Sequence, residues 1–310
     1  MKKKINVGVI GSGYMGSLHA RIYSEIDNTE LCSVCDIDKR KSKMLAERFN
    51  VNYTDDYHKI LDDENIDALS ICTSTKTHFE IASEALKAGK HILVEKPATY
   101  FLDDAKKLIN IRDRTNKIVV VGHTERYSPV TKKLFQILEY ESNIKKIMSI
   151  ISRRVGLKPK RRRETGVLYQ LATHDIDIIL SMIGKPKKVC CNLVEKGGIE
   201  FSSFLLMCYP TISSLIESSW LYRQKQRTFE VFLNDMIISG DYLAATVHFE
   251  NGKKHKTFTF NNVEPLKEEL KHFVRCIRGK EKVLTTLEDS LNVLEVIHEA
   301  LKNRNTRDCP

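Results

Sequence analysis

The most informative chemistry near the amino terminus is a run of glycines at fixed spacing. Gly11-Ser12-Gly13-Tyr14-Met15-Gly16 directly follows the apolar run Ile5–Ile10 and precedes a segment of helical spacing, Tyr14–Ile26. In that context each glycine has a use: a tight turn, close backbone approach to a pyrophosphate, and close packing of helix on strand. The anion then rests on amides at a helix amino terminus. Asp36 lies at the end of the next strand-like run, where a carboxylate accepts hydrogen bonds from ribose hydroxyls. A carboxylate there repels a 2′-phosphate, which favours NAD over NADP. Lys39, Arg40 and Lys41 follow closely and offset part of that repulsion, so NADP stays open. A second candidate is Glu95-Lys96-Pro97, which ends the strand-like His91–Val94. Ligands of open α/β sheets bind outside the carboxyl ends of the strands, so Lys96 can face a nicotinamide; a surface lysine beside a loop proline is the alternative. Proline fixes the turn that presents it.

The elements that must position these residues alternate regularly. Strand-like runs at Ile5–Ile10, Glu30–Cys35, Ile66–Cys72, His91–Val94 and Ile118–Val121 are separated by amphipathic segments. This rhythm predicts βαβ units on a doubly wound parallel sheet. After Gly122 it changes. A helix at Pro129–Tyr140, a strand at Lys145–Arg154 and a helix from about Gly166 to Met182 lead into period-two runs between Val189 and Phe260, and two helices close the chain. The fold class is therefore α/β: an N-terminal Rossmann domain over 1–122, then an α+β domain over 123–310 with an open, mainly antiparallel sheet.

The 310 residues carry 50 basic and 40 acidic side chains, a net charge of +10. Basic residues are scattered, apart from Lys158-Pro159-Lys160-Arg161-Arg162-Arg163. That cluster is read as a solvated loop or as a clamp for a nucleotide pyrophosphate. It lacks interleaved aromatics, so nucleic acid is not an expected partner. No apolar run is long enough for a membrane span and no secretory signal precedes the first strand, so a cytoplasmic protein is expected. The eight cysteines are expected as reduced thiols in the core, without zinc spacing, and no metal is expected.

Taken together, the motifs resemble the glucose–fructose oxidoreductase, inositol dehydrogenase and rhizopine-catabolism family of NAD(P)-dependent dehydrogenases. The resemblance rests on Gly11–Gly16 with His19, Thr73-Ser-Thr-Lys-Thr-His78, Gly89-Lys-His-Ile-Leu-Val-Glu-Lys-Pro97, Gly122-His-Thr-Glu-Arg-Tyr127 and His174-Asp-Ile-Asp177. It implies hydride transfer at a carbinol of a sugar, cyclitol or nucleotide sugar. The cofactor residues would be Gly11, Gly13, Tyr14, Met15, Gly16, Asp36, Thr73, Ser74, His78, Glu95 and Lys96. Lys96 and His174 would handle the hydroxyl proton. Gly122-His-Thr-Glu-Arg-Tyr-Ser-Pro129 and Glu217-Ser-Ser-Trp220 are similar to a branch that oxidises the 3-hydroxyl of UDP-N-acetylglucosamine or its uronic acid.

Four further residues are expected at the substrate. Arg126 and Tyr127 follow the sixth strand, where a guanidinium suits phosphate or carboxylate; an ion pair at the domain hinge is the alternative. Gln170 stands where the family often carries an aspartate four residues before the histidine, and an amide positions a hydroxyl but exchanges no proton. Asp177 could orient the imidazole of His174. The departure at Gln170 keeps a non-catalytic NAD-binding regulator open beside the dehydrogenase, and a free sugar or cyclitol open beside the nucleotide sugar. A sheet covered by helices on one face only implies a homodimer or homotetramer.

Overall fold

A computed structural model describes residues 4–140, 143–159, 165–252 and 254–305. The chain divides into two compact units, one formed by 1–124 with 264–291, the other by 125–263 with 292–310.

In the first unit six strands form a sheet ordered β3-β2-β1-β4-β5-β6: β1 Ile5–Ile10, β2 Thr29–Cys35, β3 Asn52–Thr54, β4 Ala68–Ile71, β5 His91–Glu95 and β6 Val119–Gly122. Every neighbouring pair is parallel. The connecting helices are α1 Tyr14–Glu25, α2 Lys39–Phe49, α3 His58–Leu61, α4 Thr75–Lys87 and α5 Leu102–Thr115. Successive strand residues point to opposite faces, so the sheet feeds two cores. Leu93 and Val120 pack with Val7, Val9 and residues of α1 and α2. Their neighbours Ile92, Val94, Val119 and Val121 pack with α4 and with Leu108 of α5. Local signals set the helix ends: the Asp38 carboxylate accepts from Arg40 N at 3.1 Å at the start of α2, and Asn50 and Asn116, at φ 53° and 51°, close α2 and α5.

The division departs from the expected boundary at 122. Helix α8 (Pro265–Ile277) returns to the first unit because Leu266, Leu270 and Phe273 fill the core beneath α1 and α2. Hydrogen bonds from Thr285 to the Val121 carbonyl and from Ala98 N to Ser290 fix the following segment.

The second unit contains an eight-stranded sheet ordered β14-β13-β12-β11-β7-β10-β9-β8. Its strands are β7 Ile147–Leu157, β8 Lys188–Lys196, β9 Ile199–Cys208, β10 Ser213–Ser219, β11 Leu221–Leu233, β12 Ile237–Asp241, β13 Thr246–Asn251 and β14 Lys254–Thr259. Pairing is antiparallel except between β7 and β10, giving the mainly antiparallel sheet expected. Helix α6 (Pro129–Tyr140) lies along β12 and β13. On α7 (Thr173–Ile183), Ile178, Ile179 and Met182 meet Ile150, Phe229 and Val231 of the sheet around a small void. On the other face Ile151, Phe204 and Ile237 are exposed. The last helix is α9 (Leu287–Lys302), and the boundary between the units falls within it.

Among the described cysteines, six are free thiols, but Cys190 is disulfide-bonded. This corrects the expectation that every thiol is reduced: burial alone does not decide a cysteine's partner. Among the described residues, no helix is long and apolar enough to cross a membrane and no group of three side chains could hold a metal ion.

Truncating Phe273 tests the assignment of α8. Phe273→Ala removes a fully buried ring and should cost about 3–5 kcal/mol of unfolding free energy in a urea titration. A loss below about 1 kcal/mol, as at a surface position, would place α8 outside the core.

Candidate active site

The glycine turn is built by two close approaches. Gly11 N donates to the Cys35 carbonyl at 2.7 Å, and its φ of 97° lies in the region that favours glycine. A Cβ on Gly16 would stand 1.7 Å from the Gly11 carbonyl oxygen, so α1 can begin against β1 only with glycine there. A Cβ on Gly13 would meet nothing within 4 Å. Gly13 precedes α1 and gives no side-chain cap. The structure thus leaves a cradle at a helix amino terminus that suits a phosphate. Tyr14 is exposed and Met15 half-buried beside it.

Asp36 borders this cradle. Its Oδ2 accepts from Ser12 N at 2.8 Å and its Oδ1 from Asp38 N at 2.9 Å. Two backbone amides hold the carboxylate at the end of β2, the position suited to ribose hydroxyls. The residues present therefore fit a dinucleotide.

Thr73 and Ser74 form the turn between β4 and α4, where the Thr77 hydroxyl donates to Thr73 Oγ1 and to the Ser74 carbonyl, each at 2.9 Å. His78, expected at the cofactor, is buried. Its Nδ1 lies 2.9 Å from the Pro97 carbonyl and its Nε2 3.2 Å from the Thr73 carbonyl. It ties the start of α4 to the Glu95-Lys96-Pro97 turn.

Glu95 ends β5, and its Oε2 accepts from Lys96 N at 3.2 Å. Its Oε1 lies 3.3 Å from His19 Nε2. On the far side of the imidazole, Nδ1 lies 3.0 Å from Ser70 Oγ, itself 2.9 Å from the Tyr23 hydroxyl. Tyr23, Ser70 and His19 thus form a buried polar chain that ends 3.3 Å from the carboxylate. Burial raises the Glu95 carboxyl, but the His19 hydrogen bond and the charges of His19, Lys96 and His78 outweigh it and hold it below the usual carboxylate range. Burial likewise pushes the nearby Cys72 thiol well up, so it is no nucleophile. Lys96 is half-buried, next in sequence to this ionised group. Sequence reasoning used His19 only as part of a motif and passed over Tyr23 and Ser70. Their i, i+4 spacing on α1 was visible for His19 and Tyr23, but the meeting with Ser70 is tertiary.

In the second unit His174 is half-buried in the first turn of α7. The expected continuous helix from Gly166 to Met182 is instead a π-helical turn, Leu168–Ala172, followed by α7. The Thr173 hydroxyl donates to the Leu168 and Tyr169 carbonyls, at 3.1 and 2.8 Å, and so competes with the regular ladder. Gln170, within the π turn, donates through Nε2 to Thr165 Oγ1 at 2.7 Å.

Arg126 and Asp177, both expected at the substrate, are buried against each other. Arg126 Nε donates to Asp177 Oδ2 at 2.7 Å and Nη2 to Oδ1 at 3.0 Å. Arg126 forms an ion pair within the second unit, and the Asp177 carboxylate is turned to the guanidinium. Tyr127 is buried in the same 3₁₀ turn, Thr124–Tyr127. Of the basic cluster, Lys158 Nζ sits 4.3 Å from the Phe201 ring and 5.7 Å from that of Trp220; positions 160–164 lie outside the described residues.

The Glu95 carboxylate carries a pH signature. Because its folded pKa lies below the ordinary value of 4.5, its ionised form stabilises the fold fully above that value, and the contribution is lost as pH falls through the folded pKa. Glu95→Gln should therefore lose stability at about pH 7, with the gap to the parent protein narrowing near about pH 3 in urea titrations. A gap independent of pH would contradict an ionised, hydrogen-bonded Glu95.

Residues 5–123 match the family described as "Oxidoreductase family, NAD-binding Rossmann fold". An uncharacterized oxidoreductase of Bacillus subtilis, YrbE, is 31% identical over 59% of this chain and 55% of its own length. The myo-inositol 2-dehydrogenase of Thermotoga maritima is 26% identical over 96% of each chain. The UDP-N-acetylglucosamine 3-dehydrogenase of Acidithiobacillus ferrooxidans is 28% identical over 79% of this chain and 76% of its own. A structure of that enzyme matches the fold with a TM-score of 0.88, over 97% of this chain and 99% of the other. The glycine cradle, the Asp36 carboxylate and the 3-2-1-4-5-6 sheet all lie in the segment that matches this oxidoreductase family with its NAD-binding Rossmann fold.

Proposed function

We propose that the protein is an NAD(P)-dependent dehydrogenase acting on a secondary hydroxyl of a sugar nucleotide, at the 3-hydroxyl of a UDP-N-acetylhexosamine or its uronate. The observation that carries the reading is the Glu95-Lys96-Pro97 turn at the carboxyl end of β5, in the same unit as the phosphate cradle. Nicotinamide, when bound, supplies the hydride acceptor. The chain's own part is to bind the dinucleotide, orient the hydroxyl and take its proton.

Lys96 and His174 are the proposed proton-handling residues. A lysine acts as a base only with its pKa lowered; otherwise it donates a hydrogen bond and stabilises alkoxide character. In the first role Lys96 takes the hydroxyl proton; in the second His174 takes it. Gln170 is proposed to position a hydroxyl. NAD is the proposed cofactor: two amides hold the Asp36 carboxylate at the end of β2, where it would accept from ribose hydroxyls and repel a 2′-phosphate. A homodimer or homotetramer formed on the sheet's outer face, and a cytoplasmic site of action, complete the reading.

A second reading, oxidation of a cyclitol or free sugar, is favoured by the inositol dehydrogenase relative, which aligns along 96% of both chains. NADH absorbance over a panel of UDP-sugars, free sugars and inositols separates the two. Turnover confined to UDP-sugars is expected; turnover confined to inositols would favour the second reading, and none anywhere, with NAD bound, would favour a regulator. On the active substrate, Lys96→Met should lower kcat by ~10²-fold or more with NAD affinity nearly intact. Unchanged turnover would remove Lys96 from the chemistry.

A further inference from the structure

Helix α7 carries His174 followed by two acidic residues, Asp175 and Asp177, and each carboxylate is buried against a different arginine. Arg154 of β7 donates from Nε to Asp175 Oδ2 at 2.8 Å and from Nη2 to Oδ1 at 3.3 Å. Ser152, on the same strand, donates to Asp175 Oδ1 at 2.7 Å. Arg126 of the 124–127 turn grips Asp177 with the same fork geometry. Glu125, from that turn, accepts from Arg154 Nη1 at 2.8 Å and has Arg227 Nη1 at 3.7 Å. The Arg154 side chain is 1% exposed and that of Asp177 2%. The Tyr242 ring lies 5.4 Å from the Arg154 guanidinium carbon.

The placement of the two acids matters. An α-helix turns about 100° per residue, so side chains two positions apart point about 200° apart. Asp175 and Asp177 therefore leave α7 on opposite sides, with His174 about 100° from Asp175. Each is held by a planar, bidentate fork that tolerates little rotation. The helix also needs such a hold, because the turn before it is π-helical and hydrogen-bonded in an i→i+5 register. Two buried ion pairs in the same place are poor evidence of stabilisation as such, since well-packed apolar residues often serve as well. Orientation is what apolar residues would not supply.

We propose that Arg154 and Arg126, clamping Asp175 and Asp177 on opposite sides of α7, fix the rotation of that helix and are thereby positioning residues for His174. The activity arm of this inference rests on the dehydrogenase reading; the structural arm does not. Arg154→Lys keeps the charge and loses the fork. The double substitution Arg154→Met with Asp175→Leu removes both charges of the pair, leaves Arg227 as the partner of Glu125, and covers the case in which the single variant fails to fold. In the folded variants, nitrogen NMR shifts of the His174 imidazole, assigned with His174→Asn, should differ from those of the parent protein. On an active substrate kcat should fall about 10–100-fold, the scale of a displaced catalytic group, with KM and calorimetric NAD affinity changed less than about twofold. Parent-like His174 shifts and kcat in the folded double variant would overturn the clamp. Altered His174 shifts in a protein that turns over nothing in the panel would uphold the clamp and overturn the dehydrogenase reading.

Discussion

The carboxyl edge of the first sheet depends on one contact, the approach of Gly16 to the carbonyl of Gly11, which no side chain larger than hydrogen permits. That approach lets α1 start directly from β1. The same helix then performs three tasks. Its amino terminus forms the phosphate cradle with Gly13, its fifth residue beyond Tyr14 delivers His19 to Glu95, and Tyr23 one turn later closes the chain through Ser70. A shift of α1 along its axis would disturb the cradle and the Glu95 carboxylate together. The binding element α1 is thus tied through His19 to Glu95, the last residue of the strand that precedes Lys96.

The second unit meets a different constraint. Arg126, Arg154 and Arg227 lie among Glu125, Asp175 and Asp177, so buried charge is matched there although the whole chain carries +10. Charges out of water are tolerated only when paired and hydrogen-bonded. The pairing converts three elements, the 124–127 turn, β7 and α7, into one polar scaffold. It also explains why residues whose types suggest anion recognition are turned inward.

Much of the first unit was legible because its signals are local. Gly11–Gly16, the strand-helix alternation and Asp36 all report on adjacent residues. Strand β12 carries no clear period-two signal, because Gly240 makes room for the Phe229 ring and breaks its apolar pattern. The apolar stripe of α8 announced a buried face but not which core it enters, since Leu266, Leu270 and Phe273 would suit either unit. Arg126 and Asp177 read as candidates for a ligand because a side chain's partner fifty residues away leaves no trace in spacing. The π turn was invisible for a related reason: Thr173 diverts carbonyls of a segment whose composition is ordinary for an α-helix.

The central claim is that the glycine cradle and Asp36 form a dinucleotide site selective for NAD. Calorimetric titration of the protein with NAD and with NADP tests it most directly. The account predicts saturable binding of NAD at least about tenfold tighter than NADP, a difference of about 1.4 kcal/mol. Equal affinities, or no heat from either nucleotide, would contradict it.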